Sequence, residues 1–183
     1  MSSASFAEPL GIWLAQRMRP GLFGIAAGVV LCGAAAGGSP TPGWLPAACA
    51  AALLLLFQFR LWDDLADVSR DRVEHPERFL PNWESTAVFR AAIWLAGAVN
   101  LLAIALLSGP LAALALLALN GGFALWYRLS AERRGGLLGS LVVLLKYPVF
   151  TALLAPAPLA AIALAFSCAA VYYVFCVYEW RTA

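Results

Sequence analysis

Long uncharged apolar runs alternate along this chain with short segments rich in charge or in Pro and Gly. Six runs stand out, at 20–37, 44–62, 87–108, 110–127, 137–155 and 157–178. Each has about 18–22 residues, the length at which an α-helix crosses a hydrocarbon core of about 30 Å. Residues 1–19 are more mixed and read as an amphipathic lead-in lying at the membrane surface. The pattern predicts an all-α fold, a single membrane domain over residues 1–183 with about six transmembrane helices.

The loops sharpen this picture. The connections 38–43, 108–110 and 155–158 hold no charged residue, and their Pro and Gly suit tight turns between antiparallel helices. Every other connection is charged. Arg17 and Arg19 precede the first run, a block from Arg60 to Arg90 follows the second, and Arg128, Glu132, Arg133 and Arg134 follow the fourth. Glu179 and Arg181 follow the last. The positive-inside rule then puts both termini and both charged loops in the cytoplasm of a multi-pass protein, in a bacterial cell (inner) membrane. The Ala-Ala-Ala-Gly-Gly stretch after the first run resembles a signal-peptidase site, but further spans follow, so the first run is read as a retained helix.

Composition agrees. The chain is 63% hydrophobic and 12% charged, against about 25% charged residues in soluble domains. The net charge of +2 carries little information, and no basic patch with interleaved aromatics is present, which argues against nucleic acid. Cys32, Cys49, Cys168 and Cys176 lie inside apolar runs with no CxxC pair and read as packing residues.

One segment breaks the apolar monotony with chemistry. Asp63, Asp64, Asp67 and Asp71 follow directly on the second run. The second helix is expected to continue through Asp71 or Val73, with Pro76 ending it, so that Asp64, Asp67 and Asp71 share an arc of about 60°. Carboxylates crowded on one face repel each other unless a cation neutralises them, and Mg²⁺ takes oxygen ligands from one or two carboxylates plus substrate phosphates. Arg60 falls on the same face, and Arg70, Arg72 and Arg78 flank the cluster as candidate phosphate partners. The alternative is a solvated loop whose acids pair with its own arginines. Lys146 stands in mid-span beside Tyr147 and Pro148, where a charge must face a cavity or a partner. Asn100 and Asn120 are expected to hydrogen-bond between helices. His75, the single histidine, sits in the charged loop with no evident partner. Trp13, Trp44, Trp62, Trp83, Trp126 and Trp180 sit where interfacial anchors are expected, whereas Trp94, Phe123, Phe150, Phe166, Tyr172 and Tyr173 are candidates to line a cavity.

The segment Asp63-Asp64-Leu65-Ala66-Asp67-Val68-Ser69-Arg70-Asp71 resembles the first aspartate-rich motif of the UbiA superfamily of intramembrane prenyltransferases, Asn-Asp-x-x-Asp-x-x-x-Asp, with Asp63 at the Asn position. Arg19-Pro20, the stretch Arg72 to Leu80, and Tyr127 to Gly139 are similar to other parts of that family. The resemblance implies a helical bundle around a cavity open to the cytoplasm, a Mg²⁺ cofactor, an isoprenyl diphosphate donor and an aromatic or other lipid-like acceptor. It implies that Asp64, Asp67 and Asp71 are catalytic ligands of Mg²⁺. Asp63, Arg60, Arg72, Arg78, Lys146 and Glu179 would then contact the diphosphate or its surroundings. The family has nine helices and a second aspartate motif after the sixth; here Glu179 stands at its first acid and Ala183 four residues on. The alternatives are therefore a non-catalytic or half-site subunit, acting as a homo-oligomer or with a partner, and a CDP-alcohol phosphatidyltransferase, although Val68 replaces the Gly which that chemistry requires after Asp67.

Overall fold

The computed structural model describes residues 7–129, 136–156 and 161–182. Pro and Gly divide them into helices as the sequence suggests. Arg19, held extended ahead of Pro20, separates α1 (Ala7–Arg17) from α2 (Pro20–Ala36), and the two helices meet at 78°. After α3 (Trp44–Ala66) come the short α4 (Val68–Glu74) and α5 (Phe79–Asn82), then α6 (Ala87–Ser108) and α7 (Pro110–Trp126). A single residue, Gly109, joins α6 to α7 at φ +89°, a backbone conformation that favours glycine. The chain ends with α8 (Gly136–Leu144), α9 (Lys146–Leu154) and α10 (Ala161–Thr182).

The chain is all-helical. The helices α3, α6 and α10 are long and apolar enough to cross a membrane, and α1 with α2 makes a fourth if the bent pair is one span. Two further apolar helices, α7 and the Leu138–Leu154 stretch, are shorter. The break between α8 and α9 has a clear cause: Pro148 has no N–H to give the Leu144 carbonyl, and the Leu145 N–H turns to Val142 at 3.2 Å.

One correction concerns the acidic segment, which the sequence reading carries on a single helix through Asp71. The helix instead breaks at Asp67 (φ −99°, ψ 5°) and resumes as α4, which stops at His75 ahead of Pro76. The common 60° arc presupposes an unbroken helix, so it does not carry across this joint.

The core centres on α3. Phe59 meets Phe123 and Phe150 edge-on, each at 5.2 Å between ring centres. Deeper along α3, Asn100 donates to Gln58 at 2.8 Å, and Gln58 donates to Asn120 at 3.0 Å. This amide chain ties α6 and α7 to α3 and gives both asparagines the inter-helix role expected of them. A second apolar cluster gathers Trp13, Leu61, Leu80 and Phe89 around the α1 end. The four cysteines are free thiols.

Small residues let α2 approach α10. A Cβ on Gly33 would come within 2.5 Å of Val171 Cγ2 and 3.1 Å of Thr151, whereas one on Gly28 would meet nothing within 4 Å. Gly33→Ala is therefore expected to destabilise the detergent-solubilised protein by about 1–3 kcal/mol. Gly28→Ala should leave the thermal unfolding midpoint unchanged or slightly raised, and the two midpoints measured side by side check this.

Candidate functional site

The last turn of α3 carries Asp63 and Asp64, the joint carries Asp67, and α4 carries Asp71. Arg17 reaches them from α1, Arg78 from the loop before α5, Tyr127 from the end of α7, Lys146 from α9 and Glu179 from α10. Together they line a charged basin of about 290 Å³.

Asp64 is the most firmly held. It is 6% exposed, and its Oδ2 accepts from the Trp13 indole at 3.0 Å and from Arg17 Nε at 2.8 Å. A second Arg17 nitrogen reaches Oδ1 at 2.6 Å, and Arg60 Nε lies 3.5 Å from the same oxygen. The hydrogen bond from Arg17, supported by charge attraction, holds that guanidinium pKa above its usual value despite burial. Asp71 is buried against Arg78 at 2.6 Å. Asp63 accepts from both the Tyr127 hydroxyl and the Lys146 ammonium. The Lys146 side chain, only 5% exposed at the start of α9, thus has both things a charge in mid-span requires, a cavity and a partner. Asp67 pairs with Arg70 at 3.1 Å in a more exposed setting.

Five acids (Asp63, Asp64, Asp67, Asp71 and Glu179) line the basin, and so do five bases (Arg17, Arg60, Arg70, Arg78 and Lys146). Acids and bases lining the site are thus equal in number among the described residues. Among the described residues no group of three or more His, Cys, Asp or Glu side chains stands together as a ready-made metal cage. The physical reason is visible: the joint at Asp67 splits the acids between two helices, and each takes a cation as its neighbour.

The basin is nevertheless incomplete in its hydrogen bonding. Four buried side-chain polar atoms lack a hydrogen-bond partner among the described residues: Trp126 Nε1, Asp71 Oδ1, Asn100 Oδ1, and Arg60 Nε, whose 3.5 Å ion pair with Asp64 makes no hydrogen bond. All but Asn100 Oδ1 belong to residues lining the basin. A buried polar group left without a hydrogen bond costs about 1–3 kcal/mol, so two such atoms beside a weakly paired Arg60 Nε call for an explanation.

A second cavity, of about 310 Å³, adjoins the first and shares Arg17, Arg60, Asp63, Lys146, Tyr147 and Glu179 with it. Beyond that shared wall its lining is mostly apolar, with Leu22, Phe23, Ala26, Leu56, Phe59 and Phe175, alongside Gln16 and Arg19. Tyr147 and Phe175 stack there at 3.6 Å, nearly parallel. The pair of cavities is thus polar at one end and oily at the other.

Of the residues singled out from sequence, Asp63, Asp64, Asp67, Asp71, Arg60, Arg78, Lys146 and Glu179 line the basin. Arg72 does not; it donates twice to the Pro81 carbonyl, at 3.1 and 2.8 Å, and clasps the loop between α4 and α5. His75 faces Glu77 in the exposed loop, 3.5 Å away. Sequence reasoning missed Trp13 and Trp126, taken as interfacial anchors, and passed over Arg17 as a topology marker. Trp13 and Arg17 stand four residues apart, one helical turn, and that spacing was the available clue.

Protein-family models, curated proteins and solved structures were all compared with this chain, and none matches.

The Arg17–Asp64 pair should couple measurably. Arg17→Ala and Asp64→Ala are each expected to cost about 2–4 kcal/mol, because each strands a buried partner. The double variant should cost less than their sum by at least about 1 kcal/mol. Arg70→Ala, which removes an exposed pair, should cost less than about 1 kcal/mol. Unfolding in denaturant reads all four.

Proposed function

We propose that this chain is a UbiA-like prenyltransferase, a six-span protein of the cell membrane whose basin holds the head of an isoprenyl diphosphate and whose adjoining cavity takes the hydrocarbon tail. The observation that carries this reading is the set of three buried polar atoms in the basin without a hydrogen-bond partner among the described residues, two donors and one acceptor, at the mouth of a largely apolar cavity. Arg60 Nε and Trp126 Nε1 offer N–H groups to phosphate oxygens. Asp71 Oδ1 offers a carboxylate oxygen to a cation arriving with the diphosphate.

Mg²⁺ fits this donor set as a companion of the diphosphate. Asp71 and Asp67 are the residues to hold it, because both oxygens of Asp64 are already engaged by Arg17 and Trp13. When bound, the ion would offset charge on the departing diphosphate. The protein's own part is electrostatic. Arg60, Arg78 and Lys146 place positive charge where the leaving group gathers it, and Phe59, Phe150 and Tyr147 surround the apolar side where a cationic allyl fragment would form. The allylic carbon–oxygen bond breaks with its electron pair going to diphosphate. A lipid-like acceptor then supplies the electrons of the new bond and gives up a proton.

A second reading has its own support. Among the described residues α10 brings one acid, Glu179, to the basin, which suits a subunit that binds the diphosphate without turning it over.

Binding of farnesyl diphosphate to the purified protein tests the shared core of both readings. It should require Mg²⁺ and weaken about tenfold or more in Arg60→Gln. The loss should be about five- to tenfold in Trp126→Phe, with Arg72→Gln unchanged. Binding that is indifferent to Mg²⁺ and to both variants would remove the proposal. Release of diphosphate in the presence of an acceptor separates the enzyme from the binding subunit.

A further inference from the structure

On the far side of the Trp62–Tyr127 aromatic wall, the surface of the bundle holds a third cavity, an open groove of about 460 Å³ between α3, α6 and α7. Its volume falls in the range of genuine ligand sites, about 300–1,000 Å³. The floor is Gln58 and Asn120, where the Gln58 amide donates to Asn120 and its carbonyl accepts from Asn100. Gly97 opens it: a Cβ there would stand 3.2 Å from the Gln58 amide nitrogen. Ile93, Leu101 and Leu117 make its walls apolar.

One feature is out of keeping with an oily groove. Arg90 lines it near the start of α6, one turn after Thr86, and among the described residues no ion pair or side-chain hydrogen bond satisfies its guanidinium. Phe89, its neighbour, packs in the cluster of Trp13, Leu61 and Leu80, so this rim lies at the same end of the bundle as the charged basin. From Arg90 to Leu101 the groove runs eleven helical residues, about 16 Å at 1.5 Å per residue. That is about half of a 30 Å hydrocarbon core, the depth of one leaflet. Trp94 stands beside Arg90 on the rim, 78% exposed, as tryptophans do at headgroup level.

We infer that this groove binds one anionic phospholipid of the surrounding leaflet, with its phosphate on Arg90 and one acyl chain laid along Ile93, Gly97 and Leu101 toward the amide floor. The charge selects the occupant. A lone guanidinium at headgroup depth, above a chain-length apolar slot, is matched by a phosphate that carries net negative charge and a tail. A zwitterionic lipid offers the same tail but brings its own cation to Arg90. The site is separate from the diphosphate basin, since Phe59, Trp62 and Tyr127 stand between them, and it holds whether or not the basin binds its proposed ligand.

Native mass spectrometry of the full chain, presented with equal amounts of phosphatidylglycerol and phosphatidylcholine of identical acyl chains, tests this. One phosphatidylglycerol should be retained about five- to tenfold more than phosphatidylcholine. Arg90→Gln should bring the two to parity. Arg128→Gln, which removes an exposed arginine outside the groove, should leave the preference intact. Ala98→Phe fills the groove from its exposed wall without entering the core, and should lower retention of both lipids. Equal retention of the two lipids by the unmodified protein overturns the inference. So does a preference that survives Arg90→Gln, or one lost equally in Arg128→Gln. Thermal unfolding of each variant, recorded alongside, confirms that the fold is intact where retention falls.

Discussion

A carboxylate taken out of water must be paid for by its neighbours, and Asp64 shows how completely this chain does so. Trp13 and two nitrogens of Arg17 close on its oxygens, with Arg60 a little farther off. The first two come from α1, so the same contacts that make the buried charge tolerable also fix α1 across the end of α3. Gln16 extends the clamp: it donates to the Glu77 carbonyl and accepts from the Phe79 N–H. The loop carrying Arg78 is thereby set in place to meet Asp71. Position after position in the basin follows from this one ionic contact, because its partners sit on elements that otherwise touch through few residues.

The second organising constraint is the scarcity of water at depth. Inside the bundle a polar side chain has to find protein partners, and the amide chain through Gln58 does this for three helices at once. Such contacts are individually modest in membranes, about 0.6 kcal/mol on average. Their value is in register: each amide has one set of partners, and sliding a helix by a turn would leave it with none. The same logic applies to Lys146, whose charge is met by Asp63 across the cavity. Among the described residues the logic is suspended at Asn100 Oδ1 in the amide chain and at Arg60, Asp71 and Trp126, and these last three share one basin.

Much of the helix layout was legible from the chain, and for a simple reason. Apolar runs interrupted by Pro, Gly and charge leave few choices where water is absent, and Pro20, Gly109 and Pro110 mark their breaks plainly. The acids were legible as a group because charge next to an oily run is rare. Their partners were not. Arg17 and Trp13 are 47 and 51 residues from Asp64, and nothing local to the aspartates names them. The joint at Asp67 was hidden as well, since Ala66, Asp67 and Val68 include neither Pro nor Gly; the Arg70–Asp67 and Arg78–Asp71 pairs lie beside the break. Arg72 misled in the other direction: its position in a charged run suggests a ligand partner, while its geometry serves the Pro81 carbonyl.

That joint has a mechanical meaning. Asp63 and Asp64 ride on a twenty-three-residue rod embedded among its neighbours, whereas Asp71 rides on a seven-residue piece attached through one residue. Two backbone hydrogen bonds span the joint, from the Asp67 N–H to Asp63 and from the Asp71 N–H to Asp67. The spacing of the acidic mouth is therefore set by the contacts that hold α4, the Arg78–Asp71 pair and the Gln16 clamp behind it, and not by the length of the rod alone.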